Sequence, residues 1–196
     1  MKKKEFIRAD FPTSDQLEKE LDREINKKGF WPTLGSVLYY LLTITAILAI
    51  AVFLFFPIMR VDGSSMKPTL HDRDMILSVK GSHFDNGDVI AFYYNNKVLV
   101  KRVIAKEGQL VDIKKDGTVY VDGNKLDEPY VEVLSYETCD IELPYRVPDS
   151  SVFVLGDRRH VSLDSRSSFI GCIKEEQIIG KVMLKIWPWY RIGTVE

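Results

Sequence analysis

Charge is missing from one long stretch of this chain: between Leu34 and Met59 there is no Asp, Glu, Lys or Arg. A charge excess is missing too, because 27 basic residues nearly offset 28 acidic ones and leave a net charge of −1 over 196 residues. Nothing in that balance suggests a polyanion, and no nucleic acid partner is expected. Cysteine is scarce. Cys139 and Cys172 are the only two, and a lone pair carries no disulfide-framework signal. The three histidines, His71, His83 and His160, show no metal-ligand spacing, so no metal and no other cofactor is expected. Internal repeats and low-complexity tracts are lacking as well.

The uncharged run is long enough to matter. A bilayer core is crossed by roughly 20 apolar residues in a helix, and Val37 to Phe56 is rich in Leu, Ile, Ala and Phe. Trp31, Tyr39 and Tyr40 lie toward one end, where amphipathic rings favour the headgroup zone. A buried core helix would keep a wider polar stripe than Thr43 and Thr45 provide. Ala49-Ile50-Ala51 has the small-x-small form of a signal-peptide cleavage site. Some thirty polar residues precede the run, however, which fits an uncleaved anchor better than a secretory leader. With Lys27-Lys28 on one flank and Arg60 and Asp62 on the other, the positive-inside bias puts the N-terminus in the cytoplasm and the remainder outside. Ahead of the run, Thr13 and Gln16 have capping-box spacing, Leu17, Leu21 and Ile25 form a stripe, and Gly29 is a natural stop; together they predict a short, solvated helix.

Beyond the run the hydrophobic period changes to two. Met75–Leu77, Val89–Phe92, Val98–Ile104, Leu110–Ile113, Thr118–Val121 and Ser151–Leu155 read as strands, punctuated by Asn86-Gly87, Asp116-Gly117 and Asp122-Gly123. Glu175 to Ile179 reads as one turn of helix. The chain is therefore expected to be mainly β: a cytoplasmic segment over 1–33, a single transmembrane helix over 34–59, and an extracytoplasmic antiparallel β domain over 60–196.

Three segments carry chemistry. Val61-Asp62-Gly63-Ser64-Ser65-Met66-Lys67-Pro68 is a serine-bearing turn directly after the apolar run. In Val98 to Ile104, strand alternation puts Lys101 on a face with Leu99 and Val103, and Arg102 on a face with Val100 and Ile104. Either one cation stands among aliphatic side chains or both snorkel to solvent. Of the two, only lysine can shed its proton usefully when desolvated, which would make it a base for a serine hydroxyl. The third segment, Gly156-Asp157-Arg158-Arg159-His160-Val161-Ser162-Leu163-Asp164-Ser165-Arg166, alternates charges in a way that suits a fixed ion-pair network.

In this order, the three segments closely resemble bacterial type I signal peptidases, the Ser-Lys enzymes that release signal peptides from exported preproteins. Gly63-x-Ser65-Met66-x-Pro68-Thr69-Leu70 resembles the nucleophile box, Val100-Lys101-Arg102-Val103-Ile104 the lysine box, and Gly156-Asp157-x-Arg159 with Ser162-x-Asp164-Ser165-Arg166 the last box. Gly87 to Phe92 resembles the strand that follows the nucleophile box, and Ile178 to Lys181 and Trp187-Pro188 match the usual sequel of the last box. The resemblance implies a membrane-bound serine endopeptidase cutting after a small-x-small motif, with Ser65 as nucleophile, Lys101 as general base and the Ser65 N–H in the oxyanion hole. It implies that Ser162 orients the lysine, and that Asp157, Arg159, Asp164 and Arg166 brace the loop, with Asp157 paired to Arg102. It also implies substrate added as a strand near Met66, Met75 and Leu77, an apolar surface resting on the lipid bilayer, and a monomer. The chain departs from the family pattern at Gly63, where some members carry a second oxyanion donor, at Arg158, where asparagine is usual, and after Ile104.

Two rival readings remain on sequence. A Ser-His-Asp hydrolase would use His160 with Asp157 or Asp164, although relatives with a histidine base carry it at the Lys101 position. A non-catalytic accessory factor for surface-protein assembly would be free to lose Ser65 or Lys101, and both are present.

Overall fold

The computed structural model describes residues 12–27, 30–136 and 139–195; Gly29 lies outside the described residues. The chain divides into a helical unit ending at Val52 and a second unit from Phe53 onward. Helix α1, Ser14–Lys27, begins where the capping signal put it, with the Thr13 N–H donating to Gln16 Oε1 at 3.1 Å. Its stripe of Leu17, Leu21 and Ile25 is exposed.

Helix α2 runs from Phe30 to Phe55, with Pro32 in the first turn, where a missing N–H costs nothing. The span Leu34–Phe55 has 22 residues, none of it buried inside the protein, which removes the core-helix alternative. The two threonine hydroxyls donate back to helix carbonyls, Thr43 to Tyr40 at 2.9 Å and Thr45 to Leu41 at 2.7 Å, so neither is left unpaired in an apolar setting. The helix stops four residues short of the expected Met59. Pro57 lacks an N–H and disfavours helical geometry at Phe56, and Ile58–Arg60 instead form the first strand, β1.

The second unit is antiparallel throughout. After β1 come β2 (Met75–Val79), β3 (Val89–Tyr94), β4 (Lys97–Lys106), β5 (Leu110–Ile113), β6 (Val119–Val121), β7 (Asn124–Lys125), β8 (Tyr145–Arg146), β9 (Ser151–Leu155), β10 (Ile173–Lys174), β11 (Ile178–Trp187) and β12 (Gly193–Thr194). One sheet has the order β1-β2-β11-β3-β4-β9-β10 with β12 added to β11; the other is β7-β6-β5-β8. Tight turns work as expected at Asp122-Gly123, both at positive φ, between β6 and β7. Asn95-Asn96, also both at positive φ, make a second such turn between β3 and β4 that the sequence reading passed over. The Glu175–Gln177 turn is present as a 3₁₀ turn, but Ile178 and Ile179 already belong to β11.

Three apolar clusters hold the unit together. One joins the two sheets through Ile104, Phe153 and Leu155 against Val111, Val119 and Val121. A second packs Met66 and Leu70 of the loop after β1 onto Ile76, Val89, Ala91 and Val182. The third gathers Ile90, Phe92, Val103, Val152 and Val154. Cys139 and Cys172 are free thiols.

Candidate active site

The loop from Val61 to Asp74 is fixed at its neck by two backbone bonds, Val61 N–H to Asp74 O and Arg73 N–H to Val61 O, each 2.8 Å. Within it Met66 and Leu70 are sunk into the core, and the Leu70 N–H donates to Met66 O at 2.8 Å. Ser65 is thus held immediately above a packed anchor. Gly63, at φ 101°, turns the chain into this loop, and its N–H donates to Asp72 Oδ1 at 2.8 Å. A serine at position 63 would meet open space but a strained backbone, which explains physically why a second hydroxyl is not carried there.

β4 is hydrogen-bonded to β3 from Lys97 to Arg102 and to β9 from Arg102 onward. Lys101 and Arg102 sit where both pairings meet, and both are buried, at 4% and 1% exposure. The sequence left open whether one cation is desolvated or both snorkel to solvent; the fold desolvates both and treats them differently. Arg102 is neutralised by Asp157, donating from Nε to Oδ1 at 2.9 Å and from Nη2 to Oδ2 at 2.8 Å. Lys101 forms no ion pair among the described residues, and its amine reaches Ser65 Oγ at 2.6 Å. Burial pulls the Lys101 amine down from 10.5 to about 8; Asp164 and Asp157 oppose the shift, and Arg166 adds to it. At neutral pH about one such amine in ten is uncharged, against fewer than one in a thousand for an ordinary lysine.

The last box wraps this pair. Gly156 follows β9, and a Cβ there would stand 2.2 Å from Ser162 Oγ and 2.7 Å from Ser65 O, so only glycine lets the loop close on the serine segment. The Arg158 N–H then donates to Ser65 O at 2.9 Å. The expected charge network exists, with partners the alternation did not reveal. Asp164 takes Arg166 in a bidentate pair, Nε to Oδ1 at 2.9 Å and Nη2 to Oδ2 at 3.0 Å, and also accepts the Gly156 N–H at 3.1 Å. Arg159 pairs outside the loop, with both Glu128 oxygens. Asp157 also accepts the Thr69 hydroxyl at 2.5 Å. Glu128, Tyr130 and Thr69 were not singled out from sequence; the Glu128-Pro129-Tyr130 run in an otherwise unpatterned segment was the available signal.

Two expectations need revision. Ser162 is buried, but its Oγ has no hydrogen-bond partner among the described residues, so the expected contact with the Lys101 amine is not formed. Met66, at 2% exposure, is a core residue rather than a surface lining; Met75 is exposed and Leu77 half-buried on the same face of β2. His160 is exposed, and both nearby carboxylates are committed to arginines, which leaves no Ser-His-Asp arrangement. Among the described residues no three His, Cys, Asp or Glu side chains converge on a metal-sized site.

A serine hydroxyl whose partner is a desolvated lysine amine is the arrangement of a Ser-Lys hydrolase. The family model described as signal peptidase, peptidase S26, matches residues 34–187, and the chain belongs to that family of serine endopeptidases. It is 37% identical over 162 residues to signal peptidase I of Bacillus amyloliquefaciens, covering 76% of this chain and 86% of that protein. It is 40% identical over 149 residues to signal peptidase IB of Staphylococcus aureus, covering 66% and 76%. A solved signal peptidase I from Enterococcus faecalis is 29% identical, covers 51% of this chain and 97% of its own, and superimposes with a TM-score of 0.43.

Proposed function

We propose that this protein is a type I signal peptidase that releases signal peptides from exported preproteins after a small-x-small motif, with Ser65 as nucleophile and Lys101 as general base. The observation that carries the assignment is the 2.6 Å contact between a buried, ion-pair-free lysine amine and the Ser65 hydroxyl. In its neutral form Lys101 accepts the hydroxyl proton as Ser65 attacks the scissile carbonyl, then returns it to the leaving amine. Water, activated by the same amine, resolves the acyl-enzyme. The Ser65 N–H donates to the developing oxyanion, a contribution worth about 3 kcal/mol in comparable sites.

Substrate geometry follows from β4. Its residues ahead of Arg102 have β3 on one side and no strand on the other, because β9 pairs only from Arg102 onward. An extended segment adding there satisfies those backbone groups and runs past Lys101. Met75 and Leu77 are the accessible members of the proposed lining. The span over 34–55 anchors the enzyme in the plasma membrane with residues 1–30 in the cytoplasm and the β unit outside. Asp157, Arg159, Asp164 and Arg166 brace the loop.

The test is cleavage of a preprotein by the detergent-solubilised full chain, with the new N-terminus sequenced. Wild type should cut after a small-x-small motif and Ser65→Ala should not cut at all; a different cut site, or cleavage by Ser65→Ala, removes the reading. A second prediction concerns pH. Protonated Lys101 cannot act as base, and its amine titrates near 8. The value of kcat/KM should therefore rise about tenfold per unit up to roughly pH 8 and level off above it. A profile already flat from pH 5 would contradict the role given to Lys101.

A further inference from the structure

We propose that Glu128 and Tyr130, on the segment joining β7 to β8, are positioning residues for the Ser65–Lys101 pair, a role that rests on the catalytic reading above. The segment after β7 has no regular structure, yet the Glu128 side chain is only 6% exposed. A carboxylate removed from water at that cost needs partners. Glu128 has two, through three hydrogen bonds: Oε2 accepts from Arg159 Nη1 at 3.1 Å, Oε1 accepts from Arg159 Nη2, and Oε1 also accepts the Tyr130 hydroxyl at 3.0 Å. Burial, together with the Glu128 carboxylate, pushes the Tyr130 phenol up, so it stays a donor.

Each partner leads toward the reacting groups by a different route. Arg159 donates from Nε to Gly156 O at 3.1 Å and offers its own carbonyl to Arg166 at 2.6 Å. Its chain neighbour Arg158 supplies the N–H that holds Ser65 O. On the other route, the Tyr130 ring lies 3.8 Å from the Arg102 guanidinium carbon. Arg102 is the chain neighbour of Lys101, and it also donates to Gly87 O at 2.7 Å and to Thr69 Oγ1 at 3.1 Å, in the same loop as Ser65. The Tyr130–Glu128 hydrogen bond closes the two routes into one unit. Glu128 and Tyr130 therefore fix, from a single strap, the arginine beside the lysine and the loop that grips the serine, while touching neither reacting group.

The strap should act on turnover rather than on substrate capture, because its contacts run to Arg159 and Arg102, which hold the reacting pair in place. In the full chain, Glu128→Gln keeps shape and loses the charge; Tyr130→Leu loses the ring; Tyr130→Phe keeps the ring and loses only the hydroxyl. With kcat taken per folded molecule, from the folded fraction at assay temperature, Glu128→Gln and Tyr130→Leu should lower kcat about ten- to a hundredfold. Their KM should stay within about twofold; Tyr130→Phe, which keeps the ring on Arg102 but opens the bond to Glu128, should lower kcat less than Tyr130→Leu does. Unchanged kcat per folded molecule in both Glu128→Gln and Tyr130→Leu overturns the proposal, as does a loss that appears only in KM or only in the folded fraction. Ser65→Ala, measured in parallel, separates the two claims. Cleavage surviving in Ser65→Ala defeats the catalytic reading and this one together; an inactive Ser65→Ala beside fully active Glu128→Gln and Tyr130→Leu defeats this one alone.

Discussion

Lys101→Met should fold as well as wild type or better and cleave preprotein slower by about four orders of magnitude or more. The two halves of that result come from the same fact. A lysine at 4% exposure without an ion pair is costly to bury while charged, so an apolar side chain of similar length removes a penalty rather than a support. The same substitution removes the one group, among the described residues, within hydrogen-bond reach of Ser65 Oγ that can take its proton. Lys101→Arg should be equally inactive for a different reason: guanidinium keeps its proton at any working pH. The measurement is kcat/KM on a preprotein beside a thermal melt of each solubilised variant. If Lys101→Met kept more than about a hundredth of wild-type kcat/KM, another base would be at work. If it melted well below wild type, the amine would be serving the fold instead.

Much of this was legible in the chain, and what was not has identifiable causes. Strand periodicity located β2, β3, β4, β5, β6 and β9 because each buries apolar side chains over much of its length. The longest omission, β11, is irregular: its pairing shifts register between Ile178 and Gly180, between Val182 and Leu184, and between Lys185 and Trp187. Each bulge resets the alternation, so no period of two survives along it. Gly180 adds to the disguise, since a Cβ there would lie 2.2 Å from Val79 O and a side chain is excluded where a strand reader expects one. At the site, Lys101 could be singled out because its strand offers no polar face. Asp157 and Arg159 announced themselves as charges, but their partners stand 55 and 31 residues away, where local pattern carries no information; the family resemblance supplied the Arg102 partner of Asp157, and nothing supplied the Glu128 partner of Arg159. The same limit hid Glu128 and Tyr130. The apolar helix ends before the expected Met59: Ile58 and Met59 are themselves apolar, so hydropathy extends through them, whereas Pro57 ends the helix before them.

Asp157→Ala should lower stability by about 3–5 kcal/mol, a large part of the roughly 5–15 kcal/mol that a domain of this kind has. Both members of the Arg102–Asp157 pair are 1% exposed, so deleting the carboxylate leaves a guanidinium that cannot deprotonate facing only Gly87 O, the Thr69 hydroxyl and the Tyr130 ring. For a chain of this size the melting temperature should fall by roughly 10 °C. Asp157→Asn, which keeps an acceptor, should fall between that variant and wild type. The double variant Asp157→Leu/Arg102→Met removes both charges and should recover much of the loss, since a buried pair is often replaceable by apolar groups of similar volume. A single variant that melts within about 2 °C of wild type would show that the pair contributes little. Activity supplies an independent sign. The Asp157 carboxylate holds the Lys101 amine up against its desolvation, and an unpaired Arg102 guanidinium beside it would push the amine down. In the folded fraction of Asp157→Asn the acidic limb of the pH profile should therefore move below pH 8, toward acid, even as kcat falls. A limb displaced toward alkaline pH would mean that Asp157 does not act on Lys101 through charge.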